Sequence, residues 1–305
     1  MPIRLRLHVP EDAALLRVFD DGEAVTLGRA PGNSVVLEHN SVSRNHAVIE
    51  PADGGWRVRD LGSKNGLRIE GRRVDAAPLA SGQWFSVGDV FCEFAQLDAA
   101  EVEAARAREG QRRHTSRVLA QRVAAAANAE TLVAELLRAI VELAECQRGF
   151  LVVGNGAQGM SVRAIFGVDP AELAGKRFSG STGAVERALR LRRTVFLSDG
   201  QDHAWLKGRA SVVARGLRAI VVVPLENDGR LLGAAYADSD DAGRVFTDLD
   251  AELLGAFATQ ASLVLAAGAL DEQLARMQSL VAVAPNGATQ VAGQAPAFPG
   301  RVPPS

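Results

Sequence analysis

Three short polar motifs stand out in residues 27–67: Gly28-Arg29, Ser43-Arg44-Asn45-His46 and Ser63-Lys64-Asn65-Gly66. Between them they supply two guanidiniums, an ammonium, hydroxyls and carboxamides. A guanidinium fixed on a scaffold, with hydroxyl and amide donors converging beside it, is the donor set that holds a phosphate dianion. The chemistry is recognition rather than bond making. Elsewhere the five histidines are scattered, and no His-x-x-x-His or Cys-x-x-Cys spacing occurs. No nucleophile–base pair, metal cluster or cofactor loop competes with this set.

The elements that must position these groups are short strands. Ile3, Leu5, Leu7 and Val9 alternate with Arg4, Arg6 and His8, the period-2 signature of a half-buried strand. Strand-like runs follow at 14–19, 24–28, 46–50, 55–60, 67–69, 83–87 and 90–95. Asp20-Asp21-Gly22, Pro31-Gly32-Asn33 and Asp53-Gly54-Gly55 punctuate them as turns. Many short strands with regular turns predict an all-β sandwich over residues 1–97, with the three motifs on its connecting loops, where binding residues concentrate. Residues 1–97 hold 11 Lys and Arg against 13 Asp and Glu, a balance of −2. Attraction for an anion must therefore be local, from Arg29, Arg44 and Lys64 brought together by folding.

In order and spacing the three motifs resemble the forkhead-associated (FHA) domain, a reader of phosphothreonine peptides. The resemblance implies that Arg29 is the main phosphate anchor, that Ser43 donates to a phosphate oxygen, and that Arg44 lies beside it. It places Ser63, Lys64 and Asn65 on the next peptide-binding loop, with Asn65 contacting the peptide backbone. Gly28, His46 and Gly66 are implied as support, the glycines permitting turn geometry. Leu67 stands where the family often has a small hydroxyl residue.

Past Leu97 the texture changes. Residues 98–129 are rich in Ala, Glu and Arg and read as a helical linker. Its six arginines between 106 and 122 are expected on a solvated helix face. Arginines upstream of Thr115 make that threonine a candidate phosphosite on an exposed linker, able to dock in the phosphate site of the same or another copy. From residue 130 an α+β domain is expected: a helix at 130–146, strands at 148–154 and 160–167, and a helix starting at Ser181. Strands Ala219–Leu225 and Arg230–Ala237 flank Asn227-Asp228-Gly229, a strong hairpin signal. A long helix opens after Thr247, with Asp250 completing a capping box. The run Ala219–Leu225, then Gly233-Ala234-Ala235-Tyr236, then Phe246-Thr247, resembles a GAF domain, a small-molecule-sensing and dimerising module. That domain is expected over 130–281, with a disordered Pro/Gly-rich tail at 282–305.

Against the cyclic-nucleotide signature of some GAF domains, Phe246 and Asp250 have the right mutual spacing, but Ala251 replaces the glutamate. His203 and Trp205 in the 199–216 loop invite a haem reading, and the Ser181-Thr182-Gly183 helix start an anion reading. A lone loop histidine is more often solvent-exposed or locally bonded than a ligand, and helix capping explains the Ser181 start equally well. Cys92 and Cys146 read as free buried thiols in a reducing cytosol. The formal charge of −2 argues against nucleic acid as a partner. No run of about 18 uninterrupted apolar residues is present, so no membrane contact is expected. No cofactor is expected either.

The whole reads as a multi-domain, non-enzymatic cytoplasmic signalling adaptor. It binds a phosphothreonine-containing partner, a Ser/Thr kinase or its substrate, and couples this to GAF sensing or homodimerisation through long flanking helices. The alternative is a regulatory protein whose GAF domain senses an unknown small molecule while the FHA domain docks or scaffolds. FHA–GAF pairs resemble the front half of larger bacterial regulators. Here no Gly-x4-Gly-Lys-Ser/Thr loop occurs, and Gly175-Lys176-Arg177 lacks its partner glycine.

Overall fold

The alternation of apolar residues in the first 97 positions closes two sheets over one core. The computed structural model describes residues 1–52, 54–154, 159–169, 182–198, 219–241 and 244–283, with side chains as far as residue 270. One sheet comprises β1 (Ile3–His8), β2 (Leu15–Phe19), β7 (Leu67–Ile69), β8 (Arg72–Val74), β10 (Gln83–Val87) and β11 (Val90–Gln96). Its order is β2-β1-β11-β10-β7-β8. The other comprises β3 (Val25–Gly28), β4 (Val35–Val36), β5 (Ala47–Ala52), β6 (Gly55–Asp60) and β9 (Ala76–Leu79), in the order β4-β3-β5-β6-β9. Ile3, Leu5 and Leu7 point inward to meet Leu27, Ile49, Val58, Phe85 and Phe94. Trp56 packs tilted against Phe94 at 6.1 Å. A one-residue slip of β1 would expose all three of its core residues, so the pairing Ile3↔Gln96 through His8↔Phe91 is fixed by burial. The short strands β4, β8 and β9 were not foreseen from periodicity. At two to four residues they carry too little alternation to be read.

The linker folds as one helix, α1 (Ala99–Ala124), opened by an Asp98–Glu101 capping box. A second helix, α2 (Ala129–Leu143), is capped by Asn128 and buries Val133, Leu136, Leu137, Ile140 and Leu143. Strands β12 (Arg148–Gly154), β13 (Met160–Phe166), β14 (Val195–Ser198), β15 (Ala219–Asn227) and β16 (Arg230–Ser239) form an antiparallel sheet ordered β13-β12-β16-β15-β14. The hairpin turns at Asp228 and Gly229, both with positive φ, as an Asp-Gly pair permits. Helix α3 (Thr182–Leu191) covers one face of the sheet, where Phe150 stacks on Tyr236. On the other face α2 meets the final helix, α4 (Asp248–Val283). Thr247 and Asp250 cap α4 reciprocally: the Thr247 N–H donates to Asp250 Oδ2 at 2.8 Å. Asp248–Leu270 is long and apolar enough by length and composition to cross a membrane, with a mean hydropathy of 1.7. Leu253, Leu254, Phe257, Ala258 and Ala261 of that stretch are buried in the domain core.

Four of the six α1 arginines, Arg106, Arg108, Arg113 and Arg117, are exposed as expected, but Arg112 and Arg122 are partly buried. Arg112 is only 18% exposed and its fork reaches Asp250 Oδ1, Glu145 and the Leu143 carbonyl. Arg113 pairs with Glu252, and Arg122 with Glu135 and Glu142. The ammonium of a lysine could not satisfy several acceptors on different elements in this planar way. Thr115, expected on an exposed linker, is half-buried within α1, between the exposed His114 and Arg117.

Met1–Ala266 form the first of two compact units. Within the first, the sandwich docks on the α+β domain through the β1–β2 loop. Glu11, buried at a φ of 62°, accepts from Arg187 at 2.7 Å, and its carbonyl accepts from Arg193 at 3.2 Å. Ala13 enters the core of the second domain. Ala14 bridges Thr247, its N–H donating to Phe246 O at 2.8 Å, and Arg17 pairs with Asp248. Ser181, His203, Trp205, Gly175-Lys176-Arg177 and residues 284–305 lie outside the described residues.

Candidate functional site

The first motif leaves the end of β3 and is pressed against the second. The Arg29 N–H donates to Ser43 O at 2.9 Å and the Ala30 N–H to Arg44 O at 3.0 Å. Asn33 clamps this seam, its Nδ2 donating to Ala30 O and Arg44 O, both at 2.8 Å. Gly28 is required by this closeness. A Cβ there would lie 2.3 Å from Arg44 O and 2.7 Å from Asn33 Nδ2.

His46 ties the second motif to the third. Fully buried, it accepts the Ser43 N–H at Nδ1 (3.1 Å), which leaves Nε2–H to donate to Gly66 O at 3.2 Å. That pattern needs the neutral ring, and burial holds its pKa below the ordinary histidine value against the raising effects of the Gly66 hydrogen bond and Asp60. The second link is Ser43 itself, whose Oγ accepts the Lys64 N–H at 3.0 Å. With that lone pair engaged, its hydroxyl proton remains to donate.

The third loop is braced internally. Ser63 is buried. Its Oγ donates to Asp60 Oδ1 at 2.5 Å and accepts the Gly66 N–H at 2.9 Å. Asp60 Oδ2 takes the Gly62 and Ser63 N–H groups. Ser63 was expected among the peptide-contacting residues; with donor and acceptor both used inside the loop, it belongs instead with Gly28, His46 and Gly66 as support. Gly66 has a φ of 79°, where a side chain would also meet Arg73 Nε at 2.6 Å. Asn65 Nδ2 donates to Ser41 O at 2.7 Å, and its Oδ1 has no partner among the described residues.

Arg29, Arg44 and Lys64 are exposed, and no acid pairs with them among the described residues. By contrast Arg6 pairs with Glu93, and Arg57 and Arg59 with Glu50. The structure thus brings three unpaired cations, one hydroxyl donor and one amide acceptor onto adjoining loops at one end of the sandwich. Sequence reasoning missed Asn33, Ser41, Asp60 and Gly88. Ser41 Oγ accepts the Asp89 N–H at 2.9 Å, and a Cβ on Gly88 would press on Ser41 O at 2.6 Å. Only Asp60-x-x-Ser63, a local Asx-type loop, left a signal in the sequence.

Among the described residues no group of three or more His, Cys, Asp or Glu is placed to hold a metal. Cys92 is buried and burial raises its thiol pKa; the Cys146 thiol, mostly buried, is pushed up to about 12. Asp250, with its signature-like spacing from Phe246, is occupied by the α4 cap, Arg112 and Arg244.

Among curated proteins, the ABC transporter ATP-binding/permease protein Rv1747 of Mycobacterium tuberculosis is 42% identical over 72 residues, 24% of this chain and 8% of the relative. Glycogen accumulation regulator GarA of Mycolicibacterium smegmatis is 35% identical over 72 residues, 24% of this chain and 46% of the relative. The chain therefore spans less than half the length of either. The solved GAF domain from a Coxiella burnetii phosphoenolpyruvate-protein phosphotransferase (ptsP) is 15% identical, covers 54% of this chain and 98% of its own, and has a TM-score of 0.45. Family models match twice, the FHA domain over residues 25–88 and the GAF domain over residues 128–265. The chain carries an N-terminal FHA domain followed by a GAF domain.

Proposed function

We propose that this chain is a non-enzymatic signalling adaptor that binds a phosphothreonine-bearing protein and passes the occupancy of that site to its GAF domain. The partner is a Ser/Thr kinase of the same cell or one of its substrates. The observation that carries the reading is the Ser43–Lys64 link. The Ser43 hydroxyl accepts the Lys64 amide and keeps its own proton for a phosphate oxygen, beside cations that no acid pairs with among the described residues. Arg29 supplies the guanidinium fork, Arg44 and Lys64 supply further charge, and Asn65 Oδ1 accepts a peptide N–H. The support beneath them, His46 above all, keeps these groups convergent before the ligand arrives, which lowers the ordering entropy of binding.

Coupling to the GAF domain rests on the β1–β2 loop, which plugs Ala13 into the GAF core and fixes Glu11 to Arg187 and Arg193. The test is affinity capture from lysate, with and without phosphatase, using wild type and Arg29→Ala. Phosphatase-sensitive partners that Arg29→Ala loses are expected, and the same partners in all four arms would sink phosphate reading. In the captured wild type, slower amide exchange in 182–191 is the expected sign of coupling. Unchanged exchange there would leave binding without coupling.

A further inference from the structure

Apart from the half-buried Arg4, the arginines and the single lysine of residues 1–97 divide into two kinds. Arg6, Arg17, Arg57 and Arg59 each pair with an acid. Arg29, Arg44, Lys64, Arg68, Arg72 and Arg73 pair with none among the described residues, and all six are exposed. The first three belong to the site above. The other three lie on the β7–β8 hairpin, which follows Gly66 directly.

That hairpin holds an arrangement that opposes its own stability. Its register sets Arg68 directly opposite Arg73. Leu67 and Val74 form the neighbouring rung and turn toward the core, so Arg68 and Arg73 share the outer face. Like charges facing each other across a two-stranded pair are destabilising. On its other side Arg68 faces Ser86, which is neutral. The hairpin's own acids, Glu70 and Asp75, are exposed and pair with neither arginine. No acid among the described residues relieves the repulsion.

The pair is also continuous with the phosphate site. Arg73 Nη2 lies 3.5 Å from Ser63 O, and its Nε lies where a Cβ on Gly66 would be crowded to 2.6 Å. Its guanidinium thus rests against the loop that carries Lys64 and Asn65.

We infer that Arg68 and Arg73 form a second anion subsite, which takes an acidic group flanking the phosphothreonine, either a carboxylate or a second phosphate. The inference rests on the phosphopeptide reading above and names a specificity element of that same site. An anion seated between the two guanidiniums replaces their repulsion by two attractions, and bidentate geometry is available to each fork.

The test uses the full chain and fluorescence anisotropy with four phosphothreonine peptides: neutral flanks, carboxylates before the phosphothreonine, carboxylates after it, and a second phosphorylated residue. Wild type, Arg68→Gln, Arg73→Gln and Arg29→Ala are compared. Wild type is expected to bind at least one of the acidic peptides about three- to tenfold more tightly than the neutral one at low salt, the size of two exposed charge pairs. That gain should shrink as salt rises. Arg68→Gln should abolish the gain while keeping wild-type affinity for the neutral peptide, and its melting temperature should stay level or rise. Arg68→Gln is the cleaner variant, because Arg73→Gln also loses the Ser63 contact. A gain in the carboxylate arms marks a reader of acids in general, and a gain confined to the doubly phosphorylated arm marks a second phosphate reader. Equal affinity for all four peptides, or a gain that survives both glutamine variants, overturns the subsite while the phosphothreonine site stands. If none of the four peptides binds wild type, or Arg29→Ala binds them as wild type does, the phosphate reading itself fails and the subsite with it.

Discussion

Gly28→Ala tests whether the site depends on the closeness of its first two loops. The added methyl group would sit 2.3 Å from Arg44 O, a backbone atom, and 2.7 Å from Asn33 Nδ2. Ordinary contact begins near 3.4 Å, so the seam must open by about an ångström, and overpacking of this kind costs about 1–3 kcal/mol. The hydrogen bonds in its path are Arg29 N–H to Ser43 O, Ala30 N–H to Arg44 O and the two from Asn33. Losing even one of them, at about 1 kcal/mol, falls in the same range. Function should suffer as well as stability, because the opened seam separates Arg29 from Ser43. Loss of one charge-assisted hydrogen bond to phosphate, about 1.5–3 kcal/mol, weakens phosphopeptide affinity by about 10- to 100-fold. Gly32→Ala is the control, since a Cβ there meets nothing within 4 Å and needs no left-handed backbone. Urea denaturation measures the first effect and peptide anisotropy the second. If Gly28→Ala matches Gly32→Ala in both, the reasoning from loop contact is wrong.

Two more outcomes follow from the charged interior. Arg112→Ala leaves the buried Asp250 with Arg244, at 3.3 Å, as its one remaining cation among the described residues, and should destabilise the GAF domain by about 3 kcal/mol, read as a lowered urea midpoint; an unchanged midpoint would show that Arg244 and the Thr247 cap suffice. Burial lowers the pKa of both His46 and His8, Arg6 adding to the effect at His8. The unfolded chain therefore takes up protons more readily than the folded one below the ordinary value near 6.5. The contribution is fully present above about pH 6.5 and is lost as pH falls through the lowered folded values. The FHA unfolding midpoint should drop between pH 7 and pH 5, and phosphopeptide binding with it, because a protonated His46 can no longer accept the Ser43 N–H. A midpoint flat over that range would contradict the neutral-histidine bridge.

The sequence by itself determined the groups on offer and the local structure that carries them. Alternation placed Ile3, Leu5 and Leu7 in the core, Asn227-Asp228-Gly229 announced its hairpin, and Thr247 with Asp250 announced the start of α4, because each signal arises between residues only a few positions apart. Tertiary structure decided which of those groups remain free. Ser63 and Lys64 are neighbours in sequence, yet one is locked to Asp60 and the other is exposed, with no acid partner among the described residues. Arg112 looked like a surface charge until folding set Asp250, 138 residues away, beneath it. Arg68 and Arg73 became a facing pair only through strand register, and β8 is too short to reveal its register by periodicity. Local pattern fixes backbone shape and burial. The pairing of charges depends on which distant acceptors the packed chain brings within reach, and no nearest-neighbour rule contains that.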